Sequence, residues 1–232
     1  MKLLILPGMD GSGLLLTDLI DSLRNLTVEV ISYPNSDDLD YSQLEKLVQS
    51  RLPRGDSFAL LAESFSGPIA ISLAARRPPG LRGLILSCSF ARNPRPVLSK
   101  LSTMLSLFPC KGVYLAAIAR VLFGRFSNRA RRSALRDALN QVSVETLRGR
   151  IASVVEVDVS AKLANLDIPI LYLRGTEDRL IPNAARRLIL EHGKNVRVAD
   201  IRAPHFLLQT APTAAATAIS EFVGELSPKA DI

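Results

Sequence analysis

Cysteines and long apolar runs are scarce in this sequence, and their scarcity excludes several classes of protein. The 232 residues include two cysteines, Cys88 and Cys110, and neither has a second potential ligand at metal-binding spacing. A disulfide framework and a cysteine-based metal centre are therefore excluded, and the cytoplasm is the expected compartment. No apolar run approaches the roughly 20 residues that a membrane helix needs, so we expect no stable membrane insertion.

The composition favours one globular domain. The first eight residues hold one lysine and an apolar run too short for a secretory signal, so they are typical of a strand. Hydrophobic residues make up 47% of the chain and charged residues 22%, which is ordinary for a protein with one sizeable core. There is no internal repeat or low-complexity segment, and only residues 227–232 are typical of a loose tail.

Positive charge is concentrated in one part of the chain. Residues 91–158 contain twelve bases and four acids, a net charge of +8, whereas the whole chain carries +7. The remainder is therefore close to neutral. Such a patch favours an acidic partner or an anionic surface, and the alternative is a merely solvated helical face.

The spacing of apolar residues is typical of an α/β fold. Apolar runs at 2–6, 27–33, 58–62, 81–87, 170–173 and 196–201 predict six strands, with helical periodicity between them. This alternation indicates parallel strands joined by right-handed crossovers. It stops between residues 94 and 165, where the pattern is only helical. We predict a core of residues 1–93 and 166–232, with 94–165 inserted as a lid over a site at the sheet edge. A helical decoration remote from any site is the alternative.

The helical pattern and its capping residues predict where the helices begin and end. Within the insertion, helices are expected at 97–107, 113–123, 128–141 and 144–154, with Ser127 and Ser143 as N-caps. After Pro182 another helix is expected, with Gly193 as the glycine just past its end.

The third predicted strand changes into a helix at Ser64. Small residues lie two positions before and two positions after this serine, so the chain reads Ala62-Glu63-Ser64-Phe65-Ser66 where a nucleophile elbow usually reads G-x-S-x-G. Small residues are needed there because the serine occupies a strained backbone conformation and neighbouring backbone passes close by. A serine that merely caps the helix is the alternative.

Three other strand ends carry groups that could complete a catalytic site. Sites in open parallel sheets lie beyond the carboxyl ends of the strands. Asp178 follows the fifth strand, His205 follows the sixth, and a glycine-rich loop, Gly8–Gly13, follows the first. Along the chain the serine comes first, the acid second and the histidine third, which is the order of the triad residues in the α/β-hydrolases. The coincidence is informative because the chain has only two histidines.

The acidities of these groups predict their roles. His205 would take the proton of Ser64 during attack and return it to the leaving group, while Asp178 would hold and stabilise the imidazole. The oxyanion would bind two backbone N–H groups, those of Phe65 and Met9.

Each of these residues also has an ordinary structural interpretation. His205 could be a structural histidine, Asp178 could be a turn residue, and Glu177 is a rival for the acid role. His192 is typical of a surface residue at a helix C-terminus. The glycine loop reads G-x-x-G-x-G rather than G-x-G-x-x-G, and no acid ends the second strand, which argues against a dinucleotide cofactor.

Four segments resemble the signature blocks of the α/β-hydrolase superfamily. They are residues 6–11 (LPGMDG), 61–67 (LAESFSG), 174–182 (RGTEDRLIP) and 203–206 (APHF). The resemblance covers nearly the whole chain and implies an α/β-hydrolase fold. Because the chain starts at what the family counts as its third strand, we expect a minimal, mostly parallel six-stranded sheet with helices on both faces.

The resemblance also bears on individual residues. The spacing Gly175-x-x-Asp178, followed by a proline, favours Asp178 over Glu177 as the acid. The chain departs from the family pattern at Pro7, where a histidine is usual, and at the two elbow positions, where glycines are usual. These departures affect the expected substrate more than the expected mechanism.

The compact size and the arginines of the insertion are similar to those of the pimeloyl-carrier-protein methyl esterases of biotin synthesis. That likeness implies that lid arginines bind an acidic acyl carrier protein, and the candidates here are Arg125, Arg129, Arg131, Arg132 and Arg136. Apolar residues of the insertion would then line an acyl channel or, alternatively, form the core of the lid. They are Leu101, Leu105, Val113, Leu115, Ile118 and Leu122.

These observations predict a serine hydrolase that cleaves carboxylic esters through an acyl-enzyme on Ser64. The expected partners are a small-molecule ester and an acidic carrier protein, with no nucleic acid, metal or cofactor. A thioesterase or acyltransferase using the same serine is one alternative. A non-catalytic binding protein of hydrolase fold is another, and the complete set of triad residues argues against it.

Overall fold

The structure is a computed structural model that describes residues 1–37, 39–96 and 115–226. Its strands are β1 (Lys2–Leu6), β2 (Thr27–Val30), β3 (Phe58–Glu63), β4 (Leu81–Ser87), β5 (Ile170–Gly175) and β6 (Val196–Ile201). Its helices up to the end of β4 are α1 (Thr17–Ser22), α2 (Tyr41–Ser50) and α3 (Gly67–Ala75). Then come α4 (Leu115–Phe123), α5 (Arg129–Asn140), α6 (Val144–Glu156), α7 (Ser160–Leu163), α8 (Asn183–His192), α9 (Leu207–Thr210) and α10 (Pro212–Leu226).

The six strands form one sheet in the order β2-β1-β3-β4-β5-β6, and every neighbouring pair is parallel. Strand β3 lies inside the sheet and all six of its residues are buried, as expected for a continuous apolar run. The predicted α/β-hydrolase fold, with a six-stranded sheet, is confirmed.

Alternate residues of the strands point to opposite faces of the sheet, which creates two apolar layers. Leu4 and Leu6 of β1 pack on one face with α2, α3 and α8. Leu3 and Ile5 pack on the other face with α1 and α10. Helices therefore cover both faces, and the carboxyl edge of the sheet is left for the connecting loops.

Several local predictions differ from the structure. Strand β2 ends before the predicted residue 33, because the Tyr33 N–H donates to the carbonyl of Gly11 in the glycine loop at 2.8 Å. The short helices α7 and α9 were not predicted, since four residues are too few for a periodic signal.

One of the predicted caps is wrong and the positions of the other two are confirmed. The side chain of Asn128, not that of Ser127, accepts a hydrogen bond at the start of α5, from the Arg131 N–H. Ser143 does cap α6, by accepting from the Thr146 N–H. Gly193 directly follows α8, as predicted, and with a φ of −84° it ends the helix without a left-handed conformation.

The chain segment that carries the helices between β4 and β5 leaves the core and returns to it at neighbouring positions. An isolated antiparallel bridge joins Arg92 to Asp158, and the Val159 N–H donates to the Ala91 carbonyl at 2.8 Å. Adjacent ends are what allow a segment to be inserted without disturbing a core. Helix α7 follows the bridge and contributes the buried Leu163 to the core layer formed with α3 and α8.

Some predictions concern residues outside the described part of the chain. They are the helix at 97–107, the start of the helix at 113–123 and the tail at 227–232. Among the described residues no helix is long and apolar enough to cross a membrane.

Candidate active site

The loops after β1, β3, β5 and β6 meet at the carboxyl edge of the sheet. They carry the glycine loop, Ser64, Asp178 and His205, respectively. Parallel pairing explains the meeting, because it places the carboxyl ends of all the strands at one edge.

Ser64 occupies a tight turn between β3 and α3. Its φ is +47°, a left-handed conformation that a residue with a side chain adopts only under constraint. The carbonyl of Ser64 accepts a hydrogen bond from the Ser89 hydroxyl at 2.6 Å. Gly67 lies against the same hydroxyl, and a Cβ at that position would clash with it. The turn is therefore held from the neighbouring loop after β4.

The three predicted triad residues lie in one hydrogen-bonded row. Ser64 Oγ is 2.8 Å from His205 Nε2, and His205 Nδ1 is 3.0 Å from Asp178 Oδ2. An ionised carboxylate only accepts, so the His205 Nδ1–H must be the donor to Asp178. In a neutral imidazole Nε2 is then the acceptor, and the Ser64 hydroxyl donates to it. The row is thus arranged for removal of the serine proton.

The surroundings of Asp178 favour its ionised form. Burial by itself would raise the pKa of this carboxyl, but the bond to His205 and the N–H groups of Ile181 and Leu180 outweigh burial and hold the pKa below its usual value. Glu177, the rival acid, instead forms ion pairs with Arg125 and Arg202.

In the glycine loop the Met9 N–H is left without a hydrogen bond to any described residue. The Pro7 carbonyl accepts from the Ser66 hydroxyl, and the Gly8 carbonyl accepts from the Gly11 N–H at 3.0 Å. The N–H of Met9 belongs to the same planar peptide as the Gly8 carbonyl and so points the opposite way. Among the described residues it has no hydrogen-bond partner. Gly8, Met9 and Ser64 line the same cavity.

Phe65, the other predicted oxyanion donor, is the second residue of a 3₁₀ turn, Ser64–Ser66. The first N–H groups of a helix have no partner within it. The Phe65 carbonyl accepts from the Tyr41 hydroxyl at 2.9 Å, and the two rings stack with their centroids 4.8 Å apart. These contacts fix the orientation of Phe65.

Glu63 is a buried acid that the sequence analysis did not assign. It is 3% exposed, accepts from the Gly8 N–H at 3.2 Å, and accepts from Gln209 Nε2 at 2.7 Å. Burial is the main reason why its pKa rises to about 7, and the bonds from Gln209 and Gly8 oppose that rise. Glu63 thereby ties the serine turn to the glycine loop and to the helix after His205. A carboxylate inside an apolar strand was the signal that could have revealed it.

The Ser66 hydroxyl explains why serine can replace the second elbow glycine. Because the Pro7 carbonyl only accepts, Ser66 must donate to it, and the Tyr33 hydroxyl must then donate to Ser66 Oγ at 2.6 Å. The elbow is thus bonded to the glycine loop through a side chain that a glycine lacks.

An apolar cavity of about 240 Å³ opens beside Ser64 and His205. It is lined by Leu15, Ile118, Leu122, Leu135, Leu139, Leu147, Ile151, Leu180 and Phe206, mostly from α4, α5 and α6. Two residues predicted to line an acyl channel, Ile118 and Leu122, are among them. Leu115 packs instead in a cluster with Phe123 and Leu135, and Leu101, Leu105 and Val113 lie outside the described residues.

The five candidate arginines are not equivalent. Arg129, Arg132 and Arg136 are exposed on α5. Arg131 is partly buried and donates to the Phe126 carbonyl at 2.7 Å, while Arg125 is paired with Glu177. None of the five lines the apolar cavity.

One group of side chains has the composition of a metal site. Ligand atoms of Cys88, Asp178 and His205 lie within 4.8 Å of one another. However, Asp178 and His205 are already bonded to each other, and burial raises the pKa of the Cys88 thiol, which favours its protonated form. A metal ion there would have to break the hydrogen-bonded row.

The sequence itself matches one known protein family over most of its length. The family described as serine aminopeptidase, S33 matches residues 36–207, about three quarters of the chain. No curated protein shows significant sequence similarity to it.

Known structures share the fold at low sequence identity. A hydrolase from Pseudomonas aeruginosa PA01 has a TM-score of 0.82 at 19% identity, covering 96% of this chain and 90% of that one. The enol-lactonase from Burkholderia xenovorans LB400 has a TM-score of 0.78 at 16% identity, with 96% and 91% covered. The esterase EaEST from Exiguobacterium antarcticum has a TM-score of 0.83 at 12% identity, with 97% and 92% covered.

Proposed function

The chain belongs to the serine aminopeptidase, S33 family within the α/β-hydrolase superfamily, and on that basis we propose that it cleaves carboxylic esters through an acyl-enzyme on Ser64. The observation that carries the proposal is the row of hydrogen bonds from Asp178 through His205 to the Ser64 hydroxyl.

The proposed reaction has two halves. As Ser64 Oγ attacks the ester carbonyl, His205 Nε2 takes the hydroxyl proton, and the resulting imidazolium is stabilised by Asp178. Collapse of the tetrahedral intermediate breaks the bond to the alcohol, which leaves with that proton. Water then attacks the acyl-enzyme, gives its proton to His205 and releases the acid, returning the proton to Ser64.

The developing negative charge would be bound by the N–H groups of Met9 and Phe65. The Met9 N–H is unbonded among the described residues, and its loop is fixed on both sides. Removing one donor of this kind typically costs on the order of 3 kcal/mol of transition-state stabilisation. Both proposed donors are backbone groups of restrained loops, so little reorganisation would be needed during the reaction.

The cavity beside Ser64 indicates the acyl part of the substrate. Its walls are mostly aliphatic, and its volume is about 240 Å³. An unbranched aliphatic acyl chain of moderate length fits this lining better than a charged or sugar group.

A fluorophosphonate probe tests the proposal, because it reacts covalently only with an activated serine. Wild-type protein should be labelled, and Ser64→Ala should lose both labelling and turnover of p-nitrophenyl esters, by on the order of 10⁶-fold in kcat. Acyl thioesters and aminoacyl p-nitroanilides, assayed in parallel, separate ester hydrolysis from the related activities. An unlabelled, inactive wild type would favour a binding protein.

We also propose that the exposed arginines of α5 bind an acidic acyl carrier protein that presents a methyl ester to Ser64. Supporting this are the excess of bases in the inserted segment and the exposure of Arg129, Arg132 and Arg136 on one helix. None of these three forms an ion pair with another element of the described chain. Exposed arginines that are not paired with acids of other elements favour attraction of an acidic partner.

Charge reversal at α5 tests this partner. The double variant Arg129→Glu/Arg132→Glu should keep p-nitrophenyl ester turnover and lose most activity on carrier-bound esters. The matched control, Lys46→Glu/Arg187→Glu, reverses two exposed charges outside the inserted segment and should leave both activities unchanged. Equal losses on free and carrier-bound esters would rule the partner out.

A further inference from the structure

Arg150 is a buried arginine in the segment where the other bases are mostly exposed. It lies on α6, is 1% exposed, and is the bulkiest of the fully buried side chains. A buried charge is costly unless hydrogen bonds satisfy it, so its partners are informative. Burial lowers its pKa, and electrostatic interactions with Tyr33 and Asp10 oppose that shift.

The partners of Arg150 are backbone carbonyls of two loops beside Ser64. Nη1 donates to the Met9 carbonyl at 2.7 Å and Nη2 donates to the Pro34 carbonyl at 2.8 Å. The guanidinium also lies over the Tyr33 ring, 5.7 Å from its centroid. A Cβ on Gly11 would be 2.7 Å from Nη1, so the glycine leaves the space that the guanidinium occupies.

These bonds complete the restraint of the Met9 backbone. The peptide before Met9 is held through the Gly8 carbonyl by the Gly11 N–H, and the peptide after it is held by Arg150. Peptide groups are planar, so anchoring both of them fixes the two backbone dihedrals of Met9. The Met9 N–H, the proposed oxyanion donor, lies in the first of these peptides, and Arg150, a side chain from an inserted helix, restrains it from the second.

We propose that Arg150 is a positioning residue that makes the oxyanion hole depend on the docking of α6. Without the Arg150 guanidinium, the peptide after Met9 loses this hydrogen bond. The Met9 backbone is then held on one side only, and the Met9 N–H samples other directions. The substrate-binding cavity keeps its apolar walls, because Arg150 is not part of its lining. The expected defect is thus in the transition state rather than in substrate binding. This inference rests on the proposed ester hydrolysis.

Replacing the side chain and returning its functional group tests the proposal. Arg150→Ala should lower kcat for p-nitrophenyl butyrate by about 10- to 100-fold, with KM changed by less than about threefold. Guanidinium chloride at tens of millimolar, far below unfolding concentrations, should restore part of the lost kcat. Sodium chloride and urea at equal concentrations should not, and the wild type should show no such gain.

A transition-state analogue provides a second measurement. A trifluoromethyl ketone forms a hemiketal oxyanion on the serine, so its inhibition constant should rise in parallel with the loss of kcat/KM in Arg150→Ala. Arg148→Met is the matched control, because Arg148 is half-buried on the same helix and has no hydrogen bond to any described residue through its buried Nε atom. It should keep the wild-type kcat.

The outcomes distinguish this inference from the function on which it rests. A wild type that neither reacts with fluorophosphonate nor hydrolyses esters would refute the function and the inference with it. An active wild type with an unchanged kcat in folded Arg150→Ala, or a loss confined to KM, would overturn the inference alone. If the alanine variant does not fold, Arg150→Lys provides the test. A single ammonium group cannot donate to both carbonyls as the guanidinium does, so this variant should show the same loss of kcat.

Discussion

Individual buried polar residues restrain the loop after β1. Glu63, Ser66 and Arg150 each form a hydrogen bond with the backbone of residues 7–9. Two of them interrupt an apolar pattern: Glu63 ends a buried strand, and Arg150 lies on the stripe of α6 that also carries Leu147 and Ile151. A polar residue in an apolar stripe signals that a buried partner exists, but the partner is found only in the fold.

At this scale Glu63 should make stability depend on pH. Its native pKa is about 7 against an ordinary value of 4.5, so between these values the native state holds a proton that the unfolded state has lost. The associated stabilisation is present below about pH 4.5 and is lost as the pH rises through about 7. By linkage the loss amounts to about 3 kcal/mol.

Urea unfolding from pH 4 to 8 measures this effect in wild type and Glu63→Gln. As the pH rises, the unfolding free energy of the wild type should fall relative to that of Glu63→Gln, so the comparison should favour the glutamine variant at high pH. Parallel stability curves would contradict a raised pKa at Glu63.

At the scale of elements, the inserted helices have a cavity face and a solvent face. Helix α5 places Leu135 and Leu139 in the cavity wall and exposes Arg129, Arg132 and Arg136 on the other side. Periodicity predicted these helices to within a few residues, because an amphipathic stripe repeats along them. Which leucines meet the substrate depends on how the helices cross, and spacing does not determine that.

Narrowing the cavity from α5 should change chain-length preference. In Leu139→Phe a larger ring would occupy part of the acyl space, so kcat/KM for p-nitrophenyl octanoate should fall by about tenfold or more while the acetate is affected by less than about twofold. Ala134→Phe, at an exposed position of the same helix, should leave both values unchanged. Equal losses on both esters would show that the cavity does not hold the acyl chain.

At the scale of the whole molecule, the excess positive charge lies in a different part of the chain from the proposed triad. The core that carries the proposed triad is near neutral, and the excess of positive charge belongs to the inserted segment. Exposed charges act over about 8–10 Å at ordinary ionic strength. The field of the protein would therefore guide the proposed acidic carrier to the inserted helices without perturbing the buried row of hydrogen bonds.

Ionic strength should consequently affect the two substrate classes differently. Raising sodium chloride from low to high concentration should lower kcat/KM for carrier-bound esters by about tenfold or more, while that for neutral p-nitrophenyl esters stays nearly constant. Stopped assays at fixed pH measure both. A salt response shared by both classes would indicate an effect on the enzyme rather than on carrier binding.

The sequence by itself determined the α/β-hydrolase fold and the strand ends at which Ser64, Asp178 and His205 lie, because parallel pairing brings carboxyl ends to one edge. Tertiary structure alone decided which side chains support the site. Arg150 resembled the other bases of its segment, yet it is buried against Met9, and Glu63 bonds to Gln209, 146 residues away. Long-range contacts of this kind follow from how helices and loops dock, which local periodicity and spacing do not encode.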